Sequence, residues 1–302
     1  MRIHHLNCIS SCPLGGKLMD DGPESIVTRG HLTNHCLLVE TGTSLVLVDT
    51  GFGLRDVAAP RTRLSAFFLN MVRPEFREEM TAIRQIAALG FDPADVTDIV
   101  LTHLDFDHAG GLDDFPQARI HMLEQERESA LAQATWLDRQ RYRPQQWGTR
   151  ALWRTYTYGE GEPWFGFDRV RALDGIREDI AMIPLIGHTL GHAGVALRTG
   201  ERWMFMTGDA YFFRGEMDLD HPHCTPGLAF YQRMMDKDHT ARVRNQERLR
   251  DLRRSHAPSV DVFCSHDVVE FERLSGRSAR IPADHMQRGQ SNLREAEHVS
   301  PS

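Results

Sequence analysis

The sequence lacks the features of a membrane-spanning, secreted or disordered protein. Its 302 residues contain no apolar run of 18 residues, the length that a membrane helix needs. The segment from Met1 to His5 is too polar to open a secretory signal peptide. Apolar residues make up 41% and charged residues 25%, which is ordinary for a globular chain. We therefore expect a globular protein without a membrane partner.

Cysteine is scarce, and the five cysteines are an odd number in a long chain. A disulfide framework is therefore not expected, and a reducing, cytoplasmic location fits the composition better.

The sequence also lacks the motifs of several other chemistries. It has no Gly-x-Ser-x-Gly nucleophile elbow and no phosphate-binding P-loop. The formal net charge of −7 disfavours long-range attraction to a phosphate backbone. Six arginines lie between 242 and 254, but Glu247 and Asp251 interleave with them, so this segment predicts a solvated outer helix. We expect a small-molecule substrate and no nucleic-acid partner, with a homodimer left open.

Short apolar runs predict strands in two blocks along the chain. The runs fall at 36–39, 45–48, 98–102, 180–185, 194–198, 203–207 and 260–263. Apolar residues at helical spacing predict a helix from Glu75 to Leu89, and a second, charged helix is predicted from Thr240 to Arg254. Strand blocks mixed with helices predict two sheets with helices outside them.

Histidine is abundant, with sixteen in the chain, and its positions indicate the chemistry. His103, Asp105, Asp107 and His108 stand within six residues, directly after a predicted buried strand. A tight turn at the end of a strand can direct such neighbours at one point, and Gly110-Gly111 allows the backbone to bend away. Imidazole and carboxylate suit zinc, iron or manganese.

Three further segments repeat this pattern downstream. His188 and His192 follow the strand at 180–185, Asp209 follows the strand at 203–207, and His266 follows the strand at 260–263. Each segment alone is a weak indication, but together and in this order they indicate one metal site. Because residues from 103 to 266 must then converge, we predict a single domain over 1–275 and a polar tail over 276–302.

This ordered set resembles the metallo-β-lactamase-fold hydrolases, whose motif is His-x-His-x-Asp-His followed by His, Asp and His. The resemblance runs from about Asn34 to about His266. It implies an α/β fold, a four-layer αββα sandwich with two metal ions in a cleft along one edge. In layout the chain is similar to the lactonase-like members.

The resemblance also implies a role for each matching residue. His103 and His188 would bind the first metal, and Asp209 would bridge both metals. Asp107, His108 and His266 would bind the second metal. Asp49 matches a position that supports the ligands from behind, and His192 matches a histidine that is structural in most members.

The chain departs from the family motif at Asp105, where the family has histidine. Asp105 is a ligand of the first metal, or the first site is weakened, or the metal shifts toward the shorter side chain. We favour ligation, because a carboxylate is a competent ligand. We expect two divalent metal ions, with zinc as the first choice. Because an additional oxygen ligand favours harder metals, manganese and iron are the alternatives.

The resemblance predicts a metal-dependent hydrolase that cleaves a small ester, a lactone or an aryl ester, with a metal-bridging hydroxide. Asp107 and Asp209 are its candidate catalytic residues. Tyr211 is a further candidate, because lactonases of this type carry a substrate-contacting tyrosine near this position. A non-haem iron oxidoreductase and a phosphotriester hydrolase are the alternatives.

Substrate specificity is expected in two segments. One is Pro60 to Arg73, where the apolar run at 67–69 packs against a partner or closes over the cleft. The other is an insert at 130–168, which holds four of the five tryptophans and three of the five tyrosines. This insert is a peripheral subdomain with its own core, an aromatic wall of a substrate pocket, or a dimer contact.

Overall fold

Two six-stranded sheets form the centre of the structure, a computed structural model that describes residues 1–22, 25–42, 44–147, 152–157 and 161–279. The first sheet has the spatial order β1 to β6 and the second has the order β12 to β7. The strands of the first sheet are β1 Arg2–Asn7, β2 His35–Glu40, β3 Leu45–Val48, β4 Val96–Val100, β5 Arg119–Leu123 and β6 Trp153–Tyr156. Those of the second are β7 Glu162–Trp164, β8 Phe167–Ala172, β9 Ile180–Pro184, β10 Ala193–Thr199, β11 Arg202–Met206 and β12 Val260–Phe263.

Helices lie outside the two sheets. They are α1 Lys17–Asp20, α2 Leu54–Ala58, α3 Pro60–Arg63, α4 Ala66–Val72, α5 Ala82–Ala88, α6 Glu124–Ala132, α7 Trp136–Arg141, α8 Pro144–Trp147, α9 Pro226–Met235, α10 His239–His256 and α11 Val268–Ser275. Within the described ranges, short 3₁₀ helices occur at Glu78–Met80, Pro93–Asp95, Gly110–Asp114 and Arg214–Met217.

Alternation of apolar side chains along each strand builds three layers of core. Leu37 and Val39 of β2 face the second sheet and pack with Met182 and Val195, whereas Leu38 between them faces the helices. The outer face of the second sheet packs against Leu249 and other residues of α10. Successive strand residues point to opposite faces, so a strand covered on both sides is apolar throughout. The predicted four-layer αββα sandwich is confirmed.

Most of the predicted strands are present, but one helix is shorter than predicted. The pattern from Glu75 to Leu89 predicts one helix, whereas α5 begins only at Ala82. Phe76 packs edge-on against Phe52 at 5.5 Å, and the backbone N–H of Glu75 donates to the carbonyl of Ser10. These tertiary contacts hold the preceding segment on the loops near α2 and outweigh its helical spacing.

The described aromatic residues of the 130–168 insert do not form a core of their own. Tyr142 and Trp147 join the core outside the first sheet, Tyr156 joins the core between the sheets, and Trp164 packs outside the second sheet. Trp136 is exposed. Tyr158 lies outside the described residues, as does the predicted tail beyond 279. Among the described residues, no helix is both long and apolar enough to cross a membrane.

Asp98 joins neighbouring strands of the first sheet through buried polar contacts. Its carboxylate accepts hydrogen bonds from Arg119 at 2.8 and 3.0 Å and lies 2.9 Å from Nε2 of His121. Burial by itself raises the pKa of Asp98, but the hydrogen bonds from His121 and Arg119 outweigh it and lower the pKa to about 2.

We predict that Asp98→Asn lowers the free energy of unfolding by about 2 kcal/mol at neutral pH, because charge-assisted hydrogen bonds are lost. The pKa of Asp98 in the folded protein lies below the ordinary aspartate value of 3.8, so this contribution is present above about pH 4 and is lost toward pH 2. Urea unfolding of the metal-free protein at several pH values measures it. A difference between wild type and variant that grows as the pH falls below 4 would contradict this assignment.

Candidate metal centre

Four loops bring the predicted ligands together at one edge of the sandwich. The loop at 101–109 follows β4, and the loop at 185–192 joins β9 to β10. The other two loops follow β11 and β12, which are parallel neighbours, so Asp209 and His266 leave the second sheet at the same end. The seven predicted ligands are all buried, with at most 8% of any residue exposed.

Asp49 holds the first of these loops from behind, as the resemblance implies. Its carboxylate accepts hydrogen bonds from the backbone N–H and the hydroxyl of Thr102, both at 2.8 Å. It also lies 2.8 Å from Nδ1 of His108. Asp49 adopts a left-handed backbone with φ of 54°, a strained conformation for a residue other than glycine. The strain is maintained because three donors converge on this carboxylate.

Glu126 ties the first loop to the second. Its buried carboxylate accepts from the backbone N–H of Leu104 at 2.9 Å and of Gly191 at 3.2 Å, and from the hydroxyl of Thr189. A Cβ on Gly191 would lie 2.1 Å from the backbone nitrogen of Glu126, so only glycine allows this approach. The two loops are therefore fixed relative to each other.

The seven side chains divide into two groups that share Asp209. The first group is His103, Asp105 and His188, and the second group is Asp107, His108 and His266. Within each group the ligand atoms lie within 4.8 Å of one another. We refer to the two groups together with Asp209 as the cluster.

Asp209 lies between the two groups, and its carboxylate is close to histidines of both, with Oδ2 also 3.3 Å from Nε2 of His266. Its Oδ1 is 3.3 Å from Nε2 of His108 and 3.1 Å from Nε2 of His266. Its Oδ2 is 3.6 Å from Nε2 of His103 and 3.4 Å from Nε2 of His188. Atoms bound tetrahedrally to one metal ion at about 2.0–2.2 Å stand roughly 3.3–3.6 Å apart, so this spacing suits a bridging carboxylate.

The far nitrogens of three histidines are held so that Nε2 faces the centre. Nδ1 of His103 lies 2.9 Å from the hydroxyl of Thr102, and Nδ1 of His266 lies 2.8 Å from the carbonyl oxygen of Thr33. Nδ1 of His108 contacts Asp49, as described above. Such contacts fix the tautomer and the ring orientation of a metal-ligating histidine.

Several buried polar atoms in the cluster have no hydrogen-bond partner in the described structure. They are Nε2 of His103, Nε2 of His108, Nδ1 of His188 and Oδ1 of Asp209. A buried polar atom without a partner is costly, and a divalent cation satisfies nitrogen and oxygen atoms together. The residues therefore fit a divalent metal ion, although the chemistry of the donors does not select one element.

The two groups differ in electrostatic environment. Burial raises the pKa of Asp105, but the Arg141 guanidinium and His103 outweigh it and hold the pKa well below its ordinary value. Burial raises the pKa of Asp107, and among the described residues no arginine or lysine forms an ion pair with it. The carboxylate of the first group thus has a protein cation beside it, and that of the second group does not.

Arg141 is the residue of the centre that the motifs did not indicate. It ends α7, inside the aromatic insert, and its side chain is completely buried. Its Nε donates to Oδ1 of Asp105 at 2.7 Å and its Nη2 donates to Oδ2 at 2.5 Å, a bidentate pair. A buried aspartate where the family has histidine requires a cation, but the sequence offers many arginines and no indication of which one supplies it.

His192 is a structural residue, as predicted. Its Nε2 accepts the backbone N–H of Asp209 at 2.9 Å, and its Nδ1 lies 2.9 Å from the carbonyl oxygen of Leu185. Burial and the neighbouring His188 lower its pKa to about 3, so the ring is neutral. His192 positions Asp209 and has no nitrogen left for a metal.

The structure does not bring Tyr211 to the cluster, which corrects the prediction that it contacts substrate. Tyr211 is fully buried in the core outside the second sheet, and its hydroxyl donates to Glu270 at 3.0 and 3.1 Å. The ring that lies against the cluster is its neighbour Phe212, 4.7 Å from the ring of His266. These two adjacent residues point to opposite sides. Tyr211 points into the core, whereas Phe212, one position later, points toward the cluster.

A narrow cavity, with about 30 Å³ of space for the centre of a water-sized sphere, reaches the second group at Asp107 and His266. Its walls are mainly apolar, with Leu32, Met71 and Phe212 among them. Tyr231 of α9 also lines it. The segment from Pro60 to Arg73 thus borders the cleft through α4, as expected for a specificity segment.

Comparison with known proteins agrees with this fold. The family model described as the metallo-beta-lactamase superfamily matches residues 29–266. A probable metallo-hydrolase of Mycobacterium tuberculosis is 38% identical over 273 residues, 88% of this chain and 80% of that protein. An N-acyl homoserine lactonase of Bacillus thuringiensis is 32% identical over 123 residues, 39% of this chain and 49% of the lactonase.

Solved structures show the same fold at lower identity. An N-acyl homoserine lactone hydrolase, with the product N-hexanoyl-L-homoserine bound at its catalytic metal center, superposes with a TM-score of 0.67 and 20% identity. The match covers 92% of this chain and 96% of that one. A probable metal-dependent hydrolase from Staphylococcus aureus has a TM-score of 0.65 and 18% identity, over 88% and 89% of the two chains.

The sandwich and the histidine–aspartate cluster at its edge define a hydrolase of the metal-dependent class. The chain belongs to the metallo-β-lactamase superfamily and is a metallo-hydrolase within it.

We predict that Asp49→Ala weakens zinc binding by about 10- to 100-fold, because Thr102 and His108 lose the carboxylate that orients them. Competition with a chromophoric chelator measures the change. Tyr211→Phe is the matched control, since it also alters a buried hydrogen bond but touches no residue of the cluster. Equal zinc affinity in Asp49→Ala and wild type would show that Asp49 does not support the ligands.

Proposed function

We propose that this protein is a metal-dependent hydrolase of small uncharged esters with an apolar substituent, a lactone or an aryl ester. The cavity that opens onto the second group carries the proposal. Its described lining contains neither lysine nor arginine, whereas Leu32, Met71, Val72 and Phe212 give it an apolar surface. A phosphomonoester or another anion would find no lysine or arginine along this lining, but an apolar acyl or aryl group would be desolvated favourably.

The similarity to lactonases supports the ester bond as the target. The segment shared with the Bacillus thuringiensis lactonase covers 39% of this chain, so it supports the reaction class more than the particular substrate. Uncharged phosphotriesters would enter the same cavity and form the second substrate class to test.

The proposed centre binds two divalent ions, zinc first and manganese or iron as alternatives, through the two groups and the shared Asp209. When bound, such ions lower the pKa of a coordinated water and polarise the carbonyl oxygen of the substrate. Asp107, His108 and His266 would hold one ion, and His103, Asp105 and His188 the other.

The residues around the cluster have separate tasks in this mechanism. Asp209 would connect the two groups, because its carboxylate is close to histidines of both. Phe212 excludes water from one side of His266. Tyr231 lines the cavity together with Asp107, and burial raises the pKa of its hydroxyl, which keeps it a hydrogen-bond donor. We assign Tyr231 the donation of a hydrogen bond to the ester.

The decisive test is hydrolysis of a panel of lactones, aryl esters and phosphotriesters before and after removal of metal. We expect lactones or aryl esters to be hydrolysed, the rate to fall by about 100-fold or more in metal-free protein, and added zinc or manganese to restore it. Ester hydrolysis that chelation does not affect would overturn the proposal. Oxygen or peroxide consumption by iron-loaded protein without hydrolysis would favour the oxidoreductase alternative.

We predict that Tyr231→Phe lowers kcat/KM by about tenfold, the equivalent of one hydrogen bond of about 1.4 kcal/mol, without changing the metal content. Tyr211→Phe is the control, and we expect it to leave kcat/KM within about twofold while lowering stability by about 1 kcal/mol. Steady-state kinetics with the best ester of the panel measures both. An unchanged rate in Tyr231→Phe, or an equal loss in both variants, would remove Tyr231 from the mechanism.

A further inference from the structure

The guanidinium of Arg141 is fixed inside the first group. Besides the two bonds to Asp105, Nη2 lies 2.9 Å from Nε2 of His188. Nη1 donates to the carbonyl oxygens of Met235 at 2.7 Å and His188 at 3.5 Å. An arginine has five N–H groups, and these contacts supply five acceptors. The guanidinium cannot turn away without leaving buried donors unpaired, so it is a permanent part of the centre.

This cation lies beside the position that a metal ion in the first group would take. Oδ2 of Asp105 and Nε2 of His188 are 3.0 Å apart, and both are candidate ligand atoms. An ion bound to both at about 2.0 Å would lie within about 3.6 Å of Nη2, whichever side of the two atoms it occupied. At that separation, between groups that are almost fully buried, a guanidinium and a divalent ion repel each other strongly.

The two groups therefore offer different net charges to a cation. In the first group the negative charge of Asp105 is already balanced by Arg141. A metal ion there would be bound by two neutral histidines and by part of the negative charge of Asp209. In the second group the carboxylate of Asp107 has no arginine or lysine partner among the described residues. Its full negative charge therefore adds to the negative charge that Asp209 contributes there. A divalent ion is attracted more strongly to the second group.

We propose that Arg141 is a built-in cation of the centre that makes its two metal sites unequal. The second group with Asp209 holds one ion tightly, and the first group holds the other ion weakly. This inference rests on the proposed function, because it assumes that the cluster binds divalent metal.

A different role for Arg141 would give the opposite result when it is replaced. If the arginine only positions Asp105 as a ligand, its removal loosens Asp105 and weakens metal binding in the first group. If it acts as a competing cation, its removal strengthens metal binding there. The direction of the change therefore separates the two roles.

The experiment titrates metal-free protein with zinc in competition with a chromophoric chelator. We expect wild type to bind two ions whose affinities differ by about 100-fold or more. In Arg141→Met the weaker ion should bind at least about tenfold more tightly, while the affinity for the tighter ion changes by less than about threefold. Arg141→Lys keeps the charge without the bidentate geometry, so it should retain the separation seen in wild type.

Several results would overturn the inference. They are two ions of equal affinity in wild type, weaker or unchanged binding of the second ion in Arg141→Met, and a lysine variant that behaves like the methionine variant.

A matched pair of histidine variants decides the matter if Arg141→Met does not fold. His188→Ala should keep the tight ion and His266→Ala should lose it, and the reverse would contradict the assignment.

The failure of this inference is distinguishable from failure of the proposed function. If wild type binds no zinc, the metal centre itself and the proposed function both fail. If it binds two ions equally and hydrolyses esters only with metal present, the proposed function stands and Arg141 has no part in setting the affinities.

Discussion

The burial of several carboxylates with several imidazoles, away from water, is the constraint on which the rest of the structure depends. Three aspartates and four histidines of the cluster lie almost fully enclosed, and atoms of His103, His108 and Asp209 have no hydrogen-bond partner. Such an arrangement is unfavourable unless cations balance it. Part of the balance comes from within the chain, through Arg141, and the remainder matches what a divalent metal supplies.

The loops around the cluster are organised to keep these side chains in place. Asp49 and Glu126 are buried carboxylates that accept hydrogen bonds from the loops that carry the candidate ligands. The strained backbone at Asp49 and the close contact at Gly191 are local costs of this arrangement. The apolar packing on both faces of both sheets compensates for them, since strands covered on two sides bury large apolar areas.

The fold and most of the cluster could be predicted because their determinants lie close together in the sequence. Apolar runs mark β2, β3 and β12, and the ligands follow strand ends at short, regular distances. Asp49, His192 and Asp209 lie where the resemblance implied. In contrast, the length of α5 depends on contacts of Phe76 with a distant loop, which helical spacing does not reveal.

The contacts that could not be predicted join distant parts of the chain. Arg141 is 36 residues from Asp105 and 47 from His188, in a segment that composition alone described only as aromatic. Tyr231 reaches the cavity from α9, whereas Tyr211, which the resemblance favoured, points into the core. Side chains that meet across the fold leave no spacing pattern, so only the three-dimensional arrangement identifies them.

A crystal structure of the zinc-loaded protein, with anomalous diffraction data collected at the zinc edge, is the most direct test. It shows whether this buried cluster is a metal centre with a tight and a weak site. We expect a strong anomalous peak between Asp107, His108, His266 and Asp209, a weaker one in the first group, and Arg141 still paired with Asp105. Absence of any peak in the cluster, or a stronger peak at His103 and His188, would contradict it.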